Sequence, residues 1–244
     1  YLICDTIFDK QYLLRVEASR TIDVYRELVG VREGLAKTGE VDTLLYSCAE
    51  KHAKSTAPET LHSSILLYGI LLKHSHAFLS YKKCYPDIIS FPLRCTEVRD
   101  RRVKQSAIAT LGYLGPDITM RDLHSAMAVL VGAANTNEYR KVALLSIGRL
   151  ATETKLSFVS YVDTVMDAVN AQKAKYSELY DCIALLAKSS PHFHNKIVEF
   201  LPKLFGSPFS AELVKTLLSV AESIAPQSAL IHCGVLELAR RVLS

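Results

Sequence analysis

Apolar side chains recur along this chain at steps of three and four residues, with polar and charged residues between them. That is the spacing of helices with one buried face, and no run alternates as a strand would. Breaks rich in Gly, Pro, Ser and Asp separate the periodic stretches. The pattern predicts helices over 11–29, 41–54, 59–75, 78–91, 98–114, 119–133, 138–152, 156–170, 175–189, 193–205, 209–224 and 228–243. They pair as hairpins, each with a first helix (A) and a second helix (B).

The B helices repeat. Val103–Leu114 overlays Tyr139–Leu150 at a shift of 36 positions: Lys104 falls on Arg140, Ala107 on Ala143, Leu111 on Ile147, Gly112 on Gly148 and Leu114 on Leu150. The same shift again reaches Leu179, Ile183, Ala184 and Leu186. A period of this length marks units that bury their apolar faces only by stacking on neighbours. The expected fold is therefore all-α: an α-solenoid of about six helical hairpins, right-handed, with A helices on one face and B helices on the other. Residues 1–244 are expected to form a single repeat segment, irregular over 1–58 and regular over 59–244.

Weaker copies extend the B pattern. Leu14, Ala18, Ile22 and Tyr25 mark the first, Ser64, Tyr68, Gly69 and Leu71 the second, and Leu213, Leu217 and Val220 the last. One slot is small in four units: Gly69, Gly112, Gly148 and Ala184. A Gly inside a helix costs about 1 kcal/mol relative to Ala, so its recurrence points to close helix–helix approach. Gly115-Pro116-Asp117 should end one helix and start the next, with Gly115 as a left-handed cap and Thr119 or Asp117 capping the second of the two. Pro86, Pro92 and Pro202 should kink or end A helices. Gly30 to Glu40, with three Gly and mixed charges, reads as an exposed loop.

Composition fits a folded chain, with 49% hydrophobic and 22% charged residues. The net charge of +4 is too small for a nucleic-acid stripe. The longest apolar tract, Ala126 to Ala134, is too short for direct membrane insertion. No signal peptide is visible, and the chain lacks an initiating Met, so a segment of a longer, cytoplasmic protein is expected. The six cysteines (Cys4, Cys48, Cys84, Cys95, Cys182, Cys233) form no CxxC pair and read as reduced, buried thiols.

Candidate chemistry is sparse. Arg99, Arg101, Arg102 and Lys104 form the densest basic cluster, at the start of a B helix, with Arg140 and Lys141 one repeat on. The cluster could grip an acidic partner or a phosphate. Equally, Asp100 could cap the helix while Lys104 and Arg140 form a stabilising ladder. His74-Ser-His76 and His192-Phe-His194 point in different directions at that spacing and hold no metal set. Phe78, Tyr81, Tyr85, Phe91, Phe158, Tyr161, Phe200 and Phe205 read, with Tyr68, as core packing. There is no nucleophile elbow, phosphate loop or kinase element, so no catalytic residue, cofactor or metal is assigned.

The B-helix form (a basic residue, then Ala, an apolar residue, Gly, any residue and Leu) resembles the HEAT repeat. Five further stretches, in order, are similar to the N-terminal HEAT region of target of rapamycin (TOR) kinases. They are Ser63 to Leu72, Val98 to Leu114, Glu138 to Val169, Asp181 to Ala187, and Leu201 to Phe205 followed by Leu213 to Pro226. The chain departs from that family at Gly112, where the family has Pro, and at Val162, where the family has Leu. The resemblance implies a non-catalytic scaffold in a very large Ser/Thr kinase. It implies protein partners (regulatory subunits of a kinase complex and a small GTPase), an oligomeric parent, and a cytoplasmic place, peripheral at endolysosomal or vacuolar membranes. A transport or coat adaptor is the alternative reading, and a phosphate or phosphopeptide site near 99–104 a further one.

Overall fold

In a computed structural model of the chain, the described residues are 6–32, 34–74, 85–116, 118–154, 159–170, 179–205, 210–224, 233 and 240. Eleven α-helices have described bounds. They are α1 (Tyr12–Arg32), α2 (Gly34–His52), α3 (Pro58–His74), α4 (Tyr85–Cys95), α5 (Arg101–Leu111) and α6 (Met120–Ala134). Then come α7 (Arg140–Thr154), α8 (Val162–Asn170), α9 (Tyr180–Ser189), α10 (His194–Phe205) and α11 (Ala211–Ser223). Short 3-10 turns at Val159–Tyr161 and Pro191–Phe193 precede α8 and α10. There is no strand among the described residues. The chain divides into two compact units, Tyr1–Val129 and Leu130–Ser244.

In the first unit the B helices α1, α3 and α5 pack in sequence, and α2 and α4 pack as A helices against α3 and α5. In the second, α7, α9 and α11 pack in sequence, with α10 against α9. Central B helices have neighbours on several sides, so they bury most. In α3, Ile65, Leu67, Leu71 and Leu72 are fully buried, each such side chain contributing about 1.5–3 kcal/mol. The repeat positions Ala107, Leu111, Leu114, Ala143, Ile147, Leu150, Ile183 and Leu186 are likewise fully buried.

The stretch 30–40 is corrected from loop to helix: α1 runs to Arg32 and α2 begins at Gly34. The inward stripe of α2 is Thr38, Asp42, Leu45 and Ala49. Its first two members are polar, which hides the helical period from a hydrophobicity reading. Asp42 is buried because Arg26 of α1 meets it in a two-pronged ion pair, Nε to Oδ1 at 2.6 Å and Nη2 to Oδ2 at 2.9 Å.

The inward face of α1 keeps the expected Ala18 and Ile22 and is corrected at Leu14 and Tyr25. Leu14 and Tyr25, expected inward, are 43% and 55% exposed. The buried stripe is Arg15, Ala18, Ile22, Arg26 and Val29. Both arginines bring partners inward with them: Arg15 Nη1 donates to the carbonyls of Asp9 and Lys10, each at 2.8 Å.

Helix α5 ends earlier than expected. Gly112 is its C-cap, in ordinary helical geometry, and stands outside the helix interior. Bonds from Gly112 N to Ala109 O and from Tyr113 N to Thr110 O tighten the last turn, so Gly115 is not the cap. Thr119 caps α6, accepting from Asp122 N at 3.2 Å and donating to Asp122 Oδ2 at 2.7 Å. Pro92 and Pro202 lie inside α4 and α10, which end three residues later. Phe78, Tyr81, His76, Asp117, Phe158, Cys4, Cys84 and most of 228–243 lie outside the described residues.

Candidate functional site

The basic cluster is exposed at Arg99, Arg101 and Arg102 and half-buried at Lys104. Asp100 is the N-cap of α5, and its Oδ1 accepts from Arg102 N at 2.9 Å and Val103 N at 3.0 Å. The amides that a phosphate could have used at this terminus are held by the chain's own carboxylate. The guanidinium of Arg102 lies 4.3 Å from the centre of the Tyr12 ring of α1, a cation–π contact across helices. Of the partner-binding candidates in the second unit, Lys141 is exposed. Arg140 is half-buried, its Nε donating to the Ala134 carbonyl at 3.3 Å.

Behind the cluster, His62 joins three helices of the first unit. Arg15 Nε of α1 donates to its Nδ1 at 3.4 Å, so Nε2 carries the proton and faces Ser106 Oγ of α5 at 3.0 Å. Burial and then the Arg15 charge lower the His62 pKa to about 4, with an upward pull from Asp100 set against them and a smaller downward one from Arg102. This histidine is neutral at physiological pH and serves as a structural hydrogen-bonding hub.

Each unit has a groove on its B-helix side. In the first, α1, α3 and α5 surround about 220 Å³, floored by Gly69, Leu66 and Ile70. Its two cations are both paired. Lys73 Nζ meets Asp23 Oδ2 at 2.8 Å, and Arg20 Nη1 meets Glu17 Oε1 at 2.6 Å. Burial alone would raise the Asp23 carboxyl, but hydrogen bonds and charge from Lys73 and His74 hold it below its usual value. His74 Nε2 lies 2.5 Å from Asp23 Oδ1.

In the second unit α7, α9 and α11 surround about 310 Å³, floored by Leu145, Ala184 and Leu185. Among the described residues Arg149, Lys188 and Lys215 line it against a single carboxylate, Asp181, and Thr216 and Ser219 supply hydroxyls. A side chain at Gly148 would place its Cβ 2.9 Å from Leu185 Cβ, so glycine is what lets α7 and α9 close up beneath this groove. At Gly69 the equivalent contact is Thr110 Oγ1 at 3.2 Å.

No motif singles out these groove residues. Their signal is the repeat register: Ile70, Arg149 and Leu185 come one residue after the small slot, and Lys73 and Lys188 four residues after it. No group of His, Cys, Asp and Glu able to hold a metal occurs among the described residues. Among them, too, no helix is long and apolar enough to cross a membrane.

No protein-family model matches the chain, and no curated protein matches it. Solved structures do. The karyopherin Kap121p bound to Pho4p superposes with a TM-score of 0.66 over 95% of this chain and 24% of its own, at 13% identity. An engineered protein gives 0.56 over 95% of this chain and 96% of its own, at 15% identity. A designed armadillo repeat protein in complex with the peptide (KR)4 gives 0.54 over 92% and 98%, at 15% identity. The chain thus spans about a quarter of the karyopherin and nearly all of the designed proteins. Identities this low speak to fold, and the fold is an α-solenoid of the armadillo/HEAT type.

Proposed function

We propose that this chain is a non-catalytic scaffold that holds protein partners in the grooves along its B helices. The observation that carries this reading is the repeated construction of those grooves. In both units a small residue lets neighbouring B helices approach, and a half-open cleft with an apolar floor and a charged rim lies above. Clefts of this kind suit an extended polypeptide, which offers backbone polar groups and alternating side chains. The structurally similar karyopherin and designed armadillo protein were solved with protein and peptide partners, which supports the reading.

The narrower proposal is a segment of a TOR-type Ser/Thr kinase, engaging regulatory subunits or a small GTPase from the cytoplasmic side of endolysosomal or vacuolar membranes. It rests on the motif resemblance over 59–244. The karyopherin likeness supports the rival, a transport or coat adaptor. A kinase parent would carry His-Arg-Asp and Asp-Phe-Gly elements downstream in its gene, and their absence there refutes the TOR reading.

The scaffold reading is tested by photo-crosslinking. A photoreactive residue is placed at Leu66 or Leu145 in the grooves, or at Asp163 of α8 as a control, in the protein expressed in its source cells. Reproducible cross-links to defined polypeptides are expected from the groove positions and not from the control. Equal labelling from all three overturns it.

A further inference from the structure

We infer that the groove of the second unit binds an acidic segment of polypeptide. The inference rests on the scaffold reading and names the partner chemistry of one groove. Arg149 on α7, Lys188 on α9 and Lys215 on α11 bring one cation from each of three successive B helices to a single cleft, whose lining holds one carboxylate among the described residues, Asp181. Lys188 and Lys215 are exposed, and neither takes part in a salt bridge among the described residues. The groove of the first unit differs. Its cations, Arg20 and Lys73, are matched by Glu17 and Asp23, so it carries little excess charge.

Two features favour a polypeptide over other anions. The floor of Leu145, Ala184 and Leu185 suits an aliphatic side chain set between acidic ones. Among the described residues no aromatic side chain lines the groove, and these offer no platform on which nucleobases could stack. The Ser219 hydroxyl lines the same groove and is buried without a hydrogen-bond partner among the described residues. An unmet buried hydroxyl is costly, and rotation about its χ1 would let it donate to a peptide carbonyl or carboxylate. The cations would steer an acidic chain to the cleft, and the apolar floor and hydroxyls would hold it there.

The test is fluorescence anisotropy with a labelled twelve-residue peptide of Asp, Glu and Leu. Its comparators are the same peptide with Asn and Gln for the acids, a Lys–Leu peptide, and an oligouridine of equal length. The acidic peptide should bind at least about tenfold more tightly than its amide analogue at low salt, and weaken as salt rises. The variant K188E/K215E, at two exposed sites, should lose at least about tenfold in affinity with an unchanged circular dichroism melt. K188Q/K215Q serves if that variant folds poorly. R20E, in the groove of the first unit, should bind as the parent does.

Equal binding of the amide analogue, an unaffected K188E/K215E, or tighter binding of oligouridine would overturn the inference. If Leu145 still cross-links to partner polypeptides while the acidic peptide fails to bind, the scaffold reading stands and this inference alone falls.

Discussion

Substituting Gly148 by Ala tests whether the repeat stacks through close backbone contact. Alanine in a helix interior is intrinsically better than glycine by about 1 kcal/mol. At Gly148 that gain meets a packing cost. The new Cβ would lie 2.9 Å from Leu185 Cβ, 3.0 Å from Leu185 Cδ1 and 3.4 Å from Cys182 Cα. Leu185 Cβ is fixed to the backbone of α9 and cannot rotate away. Restoring an ordinary contact of about 3.4 Å requires α9 to retreat by about 0.5 Å, and α11 is packed against α9. Overpacking of this kind costs about 1–3 kcal/mol, so the net expectation is a loss of about 1 kcal/mol. Gly132 provides the contrast, since a Cβ there meets nothing within 4 Å and G132A should gain about 1 kcal/mol. Gly69, with Thr110 Oγ1 at 3.2 Å, should fall between them. Urea unfolding monitored by far-UV circular dichroism would rank the three variants, with G148A lowest. If G148A shifts the midpoint upward as much as G132A does, close approach is not what keeps glycine at that slot.

Three further outcomes are expected. His62 has a folded pKa of about 4 against about 6.5 when unfolded, so protonation favours the unfolded chain. Stability should be full above about pH 6.5 and decline by roughly 3 kcal/mol as pH falls toward about 4, and H62Q should flatten that decline in urea midpoints measured against pH. Asp23, with its carboxyl lowered, adds a separate loss only below about pH 4. Arg26→Met should cost about 3–5 kcal/mol by removing the two-pronged ion pair that meets the buried Asp42 carboxylate, and R26M/D42L should recover most of it in the same assay. Burial pushes the Cys95 thiol up to about 11 and Cys182 up to about 12. Peptide-mapped alkylation of the native protein should therefore label half-buried Cys48 well before either.

The sequence is most legible where inward positions are apolar. Around Ala107, Ala143 and Ile183 the three- and four-residue spacing and the 36-residue shift carry the buried face directly, because burial of such side chains is itself what stacks the units. Legibility fails where polar groups take inward places. Arg15, Arg26, Thr38 and Asp42 are buried, and Arg15, Arg26 and Asp42 each meet a partner from another helix, up to 48 positions away. For that reason the pattern reads as a loop over 30–40 and names Leu14 and Tyr25 as inward where Arg15 and Arg26 are buried.

By itself, then, the chain determined that it is helical, that its helices pair, and that a small residue recurs where they touch, since these depend on local periodicity and on the size of single residues. Only the tertiary structure decided what lies beside each groove. Lys73 meets Asp23 while Lys188 and Lys215 meet no carboxylate within salt-bridge reach among the described residues, although the repeat register gives Lys73 and Lys188 the same place. Charge balance in a cleft depends on which helices converge there, and that convergence is a property of packing in three dimensions.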